Sequence, residues 1–201
     1  MPIASRFIWL GFTLLLFSAW PCSADTPSTI RFVRAAIALN NPNVVYDGSY
    51  RRIAYPMGDV PQTVGVCADV VIRAYRAIGI DLQKLVHEDM TRHFAAYPKI
   101  WRMRHADANI DHRRVPNLTT FFRRHGSVLK ITRDAKDYAA GDVVAWNLRK
   151  RGSLPHIGIV TGRKNADGSR PLIMHNIGGG QVLEDTLFAY EITGHYRYGL
   201  E

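Results

Sequence analysis

The chain has 201 residues, 47% of them hydrophobic and 21% charged, with 26 Lys and Arg against 17 Asp and Glu for a net charge of +9. That apolar content fits one packed domain and excludes a disordered tail protein. Two cysteines exclude a disulfide-stapled mini-scaffold.

Residues 1–24 carry Arg6, then an apolar run from Phe7 to Phe17, then Cys22, Ser23 and Ala24. They read as a secretory signal peptide, with Cys22 and Ala24 at the two small positions of a cleavage site. The run is shorter than the ~20 residues that span a bilayer, so no membrane span is expected after cleavage. Trp20 and Pro21 argue against an acylated lipoprotein cysteine at Cys22. Removing 24 of 201 residues takes away Arg6 and Cys22, leaving residues 25–201 as one domain of 177 residues at +8, in the periplasm or outside the cell. Cys67 is then the sole thiol. It cannot form an internal disulfide, so it is either buried and inert or kept for reactivity.

Apolar spacing behind Ser28 and Thr29 predicts a helix over 28–40, ended by Asn41-Pro42. Residues 43–64, rich in Tyr, Pro and Gly, read as an ordered loop. Apolar positions 66, 70, 71, 74, 75 and 78 predict a second helix ending at Gly79, with Cys67 in its first turn. Helices are also expected over 82–95 and from an Asn117 cap to Gly126, with no clean period over 97–116. From 127 onward the pattern turns to short apolar runs at 128–131, 142–146, 156–160, 172–175 and, weakly, 195–198, with a hairpin turn at 165–169. Helices first and antiparallel strands after give an α+β domain, N-terminal helices packed on an antiparallel sheet.

Cysteine nucleophiles need a thiolate, a nearby imidazole and a group that orients the imidazole. A helix start favours a thiolate, and Cys67 is placed there. A free cysteine is as readily a small core residue. His156 opens one strand and His175 ends its hairpin partner, so the two imidazoles can be cross-strand neighbours or ordinary strand-end histidines.

Gly65-Val66-Cys67-Ala68-Asp69 opening a helix, Gly141 to Trp146, His156 to Val160, and Ile173-Met174-His175-Asn176 follow one another in the order found in NlpC-type cysteine peptidases, a papain-like group that cuts peptidoglycan stem peptides. The stretch from Tyr46 to Tyr198 also resembles a YijF-like family of secreted bacterial proteins, a domain of unknown function (1287). The segments 65–73, 107–117, 175–178 and 194–198 carry that likeness. The resemblance implies a papain-like, NlpC-type fold with Cys67 as nucleophile, His156 as general base and acid, and His175 orienting His156. It also implies Tyr55 as a helper of the oxyanion beside the Cys67 backbone N–H. NlpC-type enzymes usually carry Asp-Cys-Ser, whereas this chain has Val66-Cys67-Ala68 and lacks the polar flanks that hold a substrate's free amine.

Asp69 is expected to pair with Arg73 one turn on, or to stabilise the first turn. Arg113 and Arg114 are candidates for binding substrate carboxylates, as part of a loop that is alternatively self-satisfied, and Asn176 is a further substrate-binding candidate. His87, His93, His105 and His125 are expected to be solvated. The leading expectation is a secreted, monomeric cysteine hydrolase acting on peptidoglycan or another envelope polymer, whose Cys67 alkylates rapidly near pH 6. The alternative is a non-catalytic wall-binding module drawn to anionic polymers by its charge. No HExxH or other compact ligand pair occurs, so no metal and no cofactor are expected. The basic residues are scattered rather than gathered on one helix, which argues against nucleic acid as a partner.

Overall fold

The computed structural model describes residues 26–200. The expected signal peptide lies outside them. Thr26 caps α1 (Pro27–Ala38) by accepting the Thr29 N–H, and Pro27 sits in the first turn, where its missing N–H costs nothing. Two short strands follow, β1 (Val45–Tyr46) and β2 (Val64–Gly65), paired in parallel with Tyr46 opposite Gly65. Then come α2 (Cys67–Ala77) and α3 (Leu82–Arg92), the latter capped by the Asp81 carboxylate. Single 3₁₀ turns at 94–96 and 111–113 lead to α4 (Val115–His125). That helix starts before Asn117, because Pro116 fits its first turn. Asn117 is no cap: its Nδ2 donates to the Asp111 carbonyl instead.

The rest of the chain builds a six-stranded sheet from β3 (Ser127–Val128), β4 (Val143–Asn147), β5 (Pro155–Lys164), β6 (Pro171–His175), β7 (Val182–Glu184) and β8 (Glu191–Arg197). Its spatial order is β3-β8-β4-β5-β6-β7, every neighbouring pair antiparallel. The α+β arrangement expected from the sequence, helices first and antiparallel sheet after, is thus what the structure shows.

The run Val143-Val144-Ala145-Trp146 is apolar at every position because both sheet faces are covered. Val143 and Ala145 join the core under the helices, with Phe32, Val70, Val71, Tyr75, Phe122 and Ile157. Val144 and Trp146 join a second cluster with Tyr138, Val160, Ile173 and Leu187. Helices α1, α2 and α4 all pack against β5, so the start of α2 and the start of β5 are held by one core. Among the described residues no helix is long and apolar enough to cross a membrane.

Candidate active site

The extended backbone of β2 continues through Val66, and Cys67 is the first residue of α2. Val66 has no side chain that can cap, so the cap comes from within the helix: its N–H donates to the Asp69 carboxylate at 2.7 Å. Asp69 also receives Arg113 Nε at 2.8 Å and Nη2 at 2.9 Å. Both side chains are only 2% exposed, so this two-pronged ion pair ties the start of α2 to the 111–113 turn. Arg73 does not pair with Asp69. The 58–64 loop runs back along α2 and offers Arg73 the Asp59 carboxylate and the carbonyl oxygens of Val60, Pro61 and Val64.

Cys67 is 3% exposed, and burial pushes its thiol up to about 11. The backbone N–H of Ile157, the Tyr46 hydroxyl and the backbone N–H of Ala68 pull the other way, each favouring the thiolate. At pH 6 the thiol is therefore protonated, and the rapid alkylation expected there does not follow from this geometry. Tyr46 reaches the sulfur because the β1–β2 pairing sets it opposite Gly65, two residues before Cys67. Burial and the neighbouring Cys67 raise its hydroxyl above the usual tyrosine range. Tyr55 takes no such place: it is exposed and packs edge-on against His87, ring centroids 5.3 Å apart.

Ile157, whose N–H faces the thiol, directly follows His156, so the strand that carries this imidazole rests on the sulfur. His156 Nε2 and His175 Nδ1 are 2.8 Å apart, and His175 Nε2 lies 3.0 Å from Glu184 Oε2 on β7. Gly158 makes room for this pairing, since a Cβ there would stand 2.7 Å from Ile173 and 3.1 Å from His175 Cβ. The carboxylate of Glu184 only accepts, so His175 carries its proton on Nε2 and accepts at Nδ1. His156 then donates from Nε2, which leaves its Nδ1 unprotonated. Burial, with His175 beside it, pulls His156 down to about 3, and burial lowers His175 against the pull of Glu184. At rest the thiol and the His156 imidazole are both neutral.

Cys67 opens onto a cleft of about 440 Å³ walled by Tyr46, Tyr50, Trp101, Val115, Leu154 and Pro155, with Arg113 and Arg114 at its side. Beyond its bonds to Asp69, Arg113 donates to the carbonyls of Ser49 and Asp47, so it holds the fold and has little left for a ligand. Arg114 is spent only in part: Nη1 contacts Asp111 and the Met103 sulfur, while the guanidinium lies 4.3 Å over the Trp101 ring. Asn176 is fully buried, donating to the Gly65 carbonyl and accepting the Gly178 N–H, which makes it a tie between β6 and the Cys67 approach. A larger cavity of about 560 Å³, bordered by Ile131, Arg149, Phe188 and Tyr190, has neither cysteine nor histidine in its wall.

His93 and His125 are exposed, in line with the expectation of solvated side chains, and both also reach the buried Asp89, at 2.9 Å and 3.1 Å. Arg124 and Tyr97 join them there, and against the effect of burial they hold the Asp89 carboxyl below its usual range. His87 is half-buried with its Nδ1 unpartnered, and His105 is exposed. Among the described residues no group of three or more His, Cys, Asp or Glu side chains is arranged to hold a metal ion.

Residues missed in the sequence include Tyr46 and Glu184. Tyr46 lay in a stretch read as loop, and Glu184 lies on a three-residue strand with no alternation to announce it.

Comparison with known proteins gives three findings. The family model described as "Domain of unknown function (DUF1287)" matches residues 33–198. The uncharacterized protein YijF of Escherichia coli (strain K12) is 53% identical over 153 residues, covering 76% of this chain and 73% of that one. The structure of NlpC2 from Trichomonas vaginalis superposes with a TM-score of 0.49 and 16% identity over 88% of this chain; this chain spans about half of that one, 48%.

Proposed function

Because the chain belongs to the DUF1287 family, whose name carries no reaction, the function rests on the site, and we propose a cysteine-dependent amide-bond hydrolase of the bacterial cell envelope. One observation carries this reading: a buried thiol at a helix start, in contact with the strand that begins a His156–His175–Glu184 hydrogen-bonded chain. In the proposed cycle His156 Nδ1 takes the Sγ proton as sulfur attacks the amide carbonyl, because a thiol held near 11 reacts best when its proton leaves during the attack. The Tyr46 hydroxyl and the Cys67 backbone N–H are the candidate donors to the oxyanion. His156 then hands its proton to the leaving amine, giving a thioester, and activates the water that hydrolyses it. Peptidoglycan peptide or amide bonds are the proposed substrate, and the proposed location is the periplasm or outside the cell, in line with the leader expected in residues 1–24.

The test is mass spectrometry of purified peptidoglycan fragments incubated with wild type and with Cys67→Ala. New termini made by the wild type alone identify both reaction and bond. If Cys67→Ala generates the same termini, or the wild type generates none, the hydrolase reading is lost. The second reading, a non-catalytic wall-binding module, is favoured by one observation: both Cys67 and His156 are neutral at rest in a nearly dry site. It gains if wall fragments bind but remain intact.

A further inference from the structure

The cleft beside Cys67 is uneven in its chemistry. Tyr46, Tyr50, Trp101, Ile110, Leu154 and Pro155 make it largely apolar, and no acidic residue is among those lining it. A substrate ammonium placed here would find no carboxylate in the wall and would face Arg113 and Arg114 instead. The two arginines are not equivalent. Arg113 is 2% exposed and spends Nε, Nη1 and Nη2 on Asp69, Asp47 and Ser49. Arg114 is 19% exposed and uses Nη1 alone, on Asp111 and Met103. Its guanidinium carbon lies 4.3 Å over the Trp101 ring, and Nε and Nη2 form an edge that matches a carboxylate with two parallel hydrogen bonds.

We infer that this cleft selects amides that are apolar and uncharged next to Cys67 and that carry a carboxylate received by Arg114. Its catalytic meaning rests on the hydrolase reading, but the recognition itself can be measured without turnover. Three probes are titrated calorimetrically into Cys67→Ala protein: N-acetyl-Leu-Ala, its C-terminal amide, and Leu-Ala amide with a free amino group. N-acetyl-Leu-Ala should bind about tenfold more tightly than its amide, the worth of one charge-assisted hydrogen-bonded pair, and Leu-Ala amide should bind most weakly. Adding Arg114→Gln should bring the two acetylated probes within about twofold of each other. Arg114→Lys, which keeps the charge without the fork, should retain part of the preference and decides the matter if Arg114→Gln does not fold.

Equal binding of the acetylated pair overturns the inference, as does a carboxylate preference that survives Arg114→Gln, tightest binding of the free amine, or no binding of any probe. If the preference holds while wall fragments show no Cys67-dependent cleavage, the hydrolase reading falls and the carboxylate site stands.

Discussion

His175 Nε2 lies 3.0 Å from Glu184 Oε2, and this contact decides which nitrogen of His156 is left free to accept a proton. Without an acceptor at Nε2, His175 can hold its proton on Nδ1, the atom 2.8 Å from His156 Nε2, and His156 would then carry its own proton on Nδ1, the atom that takes the thiol proton in the proposed cycle. Glu184→Ala should therefore lower kcat on a Cys67-dependent substrate roughly ten- to a hundredfold with little change in KM, less than the 10²–10⁴ associated with a general base itself. Glu184 is 46% exposed, and water can replace part of its effect, which keeps the loss below that of His156→Ala. Equal losses in the two variants, or a change confined to KM, would show that Glu184 does not act through the histidines.

The buried thiol makes a separate prediction. Alkylation of native Cys67 by iodoacetamide should be slow from pH 6 to 8 and speed up as pH climbs toward 11, whereas the urea-unfolded chain should react as an ordinary thiol of pKa ~8.5. The same shift is linked to stability. A thiol whose folded pKa is raised stabilises the fold below its unfolded pKa, and that contribution disappears as pH rises through the folded value near 11. Tyr46→Phe removes a group that favours the thiolate and should slow alkylation at any pH up to 10. Fast native alkylation at pH 6 would contradict this picture.

Breaking the Asp69–Arg113 pair should cost far more than breaking a surface pair. Either Asp69→Asn or Arg113→Met alone leaves a charge or polar group stranded in a nearly dry site, at about 3–5 kcal/mol in urea denaturation. Asp69→Asn also weakens the bond that caps Val66, so its effect on Cys67 reactivity should exceed that of Arg113→Met. Arg170→Ala, which breaks an ion pair exposed by 39% and 30%, is the control and should cost little by comparison.

These contacts also show where sequence reading stops. Helix α2 could be placed because its apolar spacing is local, and the His156–His175 adjacency because one hairpin joins them. Tyr46 beside Cys67 depends on a two-residue parallel pairing of positions 19 apart, and Asp69–Arg113 joins positions 44 apart. Neither leaves a periodic trace. Of the two roles expected for Asp69, the i,i+4 pair with Arg73 does not form, because Arg113 from elsewhere in the chain takes the carboxylate, whereas first-turn stabilisation does, through the Val66 N–H. Tyr55, which the resemblance puts beside the oxyanion, lies instead exposed against His87, because its distance from Cys67 along the chain says little about distance in space across the 47–63 loop.

Acid should destabilise the protein through its buried histidines before its carboxylates titrate. Burial pulls His112 and His156 down to about 3, with Arg113 adding to the effect at His112 and His175 at His156. His112 Nδ1 is buried with no partner, so protonation there gains no hydrogen bond to offset the charge. A depressed histidine binds fewer protons folded than unfolded, so its contribution is complete above the unfolded value of ~6.5 and is lost as pH falls toward 3. Between about pH 6 and 4.5 most carboxylates stay ionised in both states, and the slope should approach about 1.4 kcal/mol per pH unit for each such histidine. Urea denaturation of wild type and His112→Gln at pH 7, 6, 5 and 4.5 tests this. His112→Gln should be less stable at pH 7, where a polar side chain replaces a packed ring, yet lose less between pH 6 and 4.5, by about one proton's worth of slope. Parallel stability curves for the two proteins would mean that His112 titrates normally and that its burial does not resist the charge.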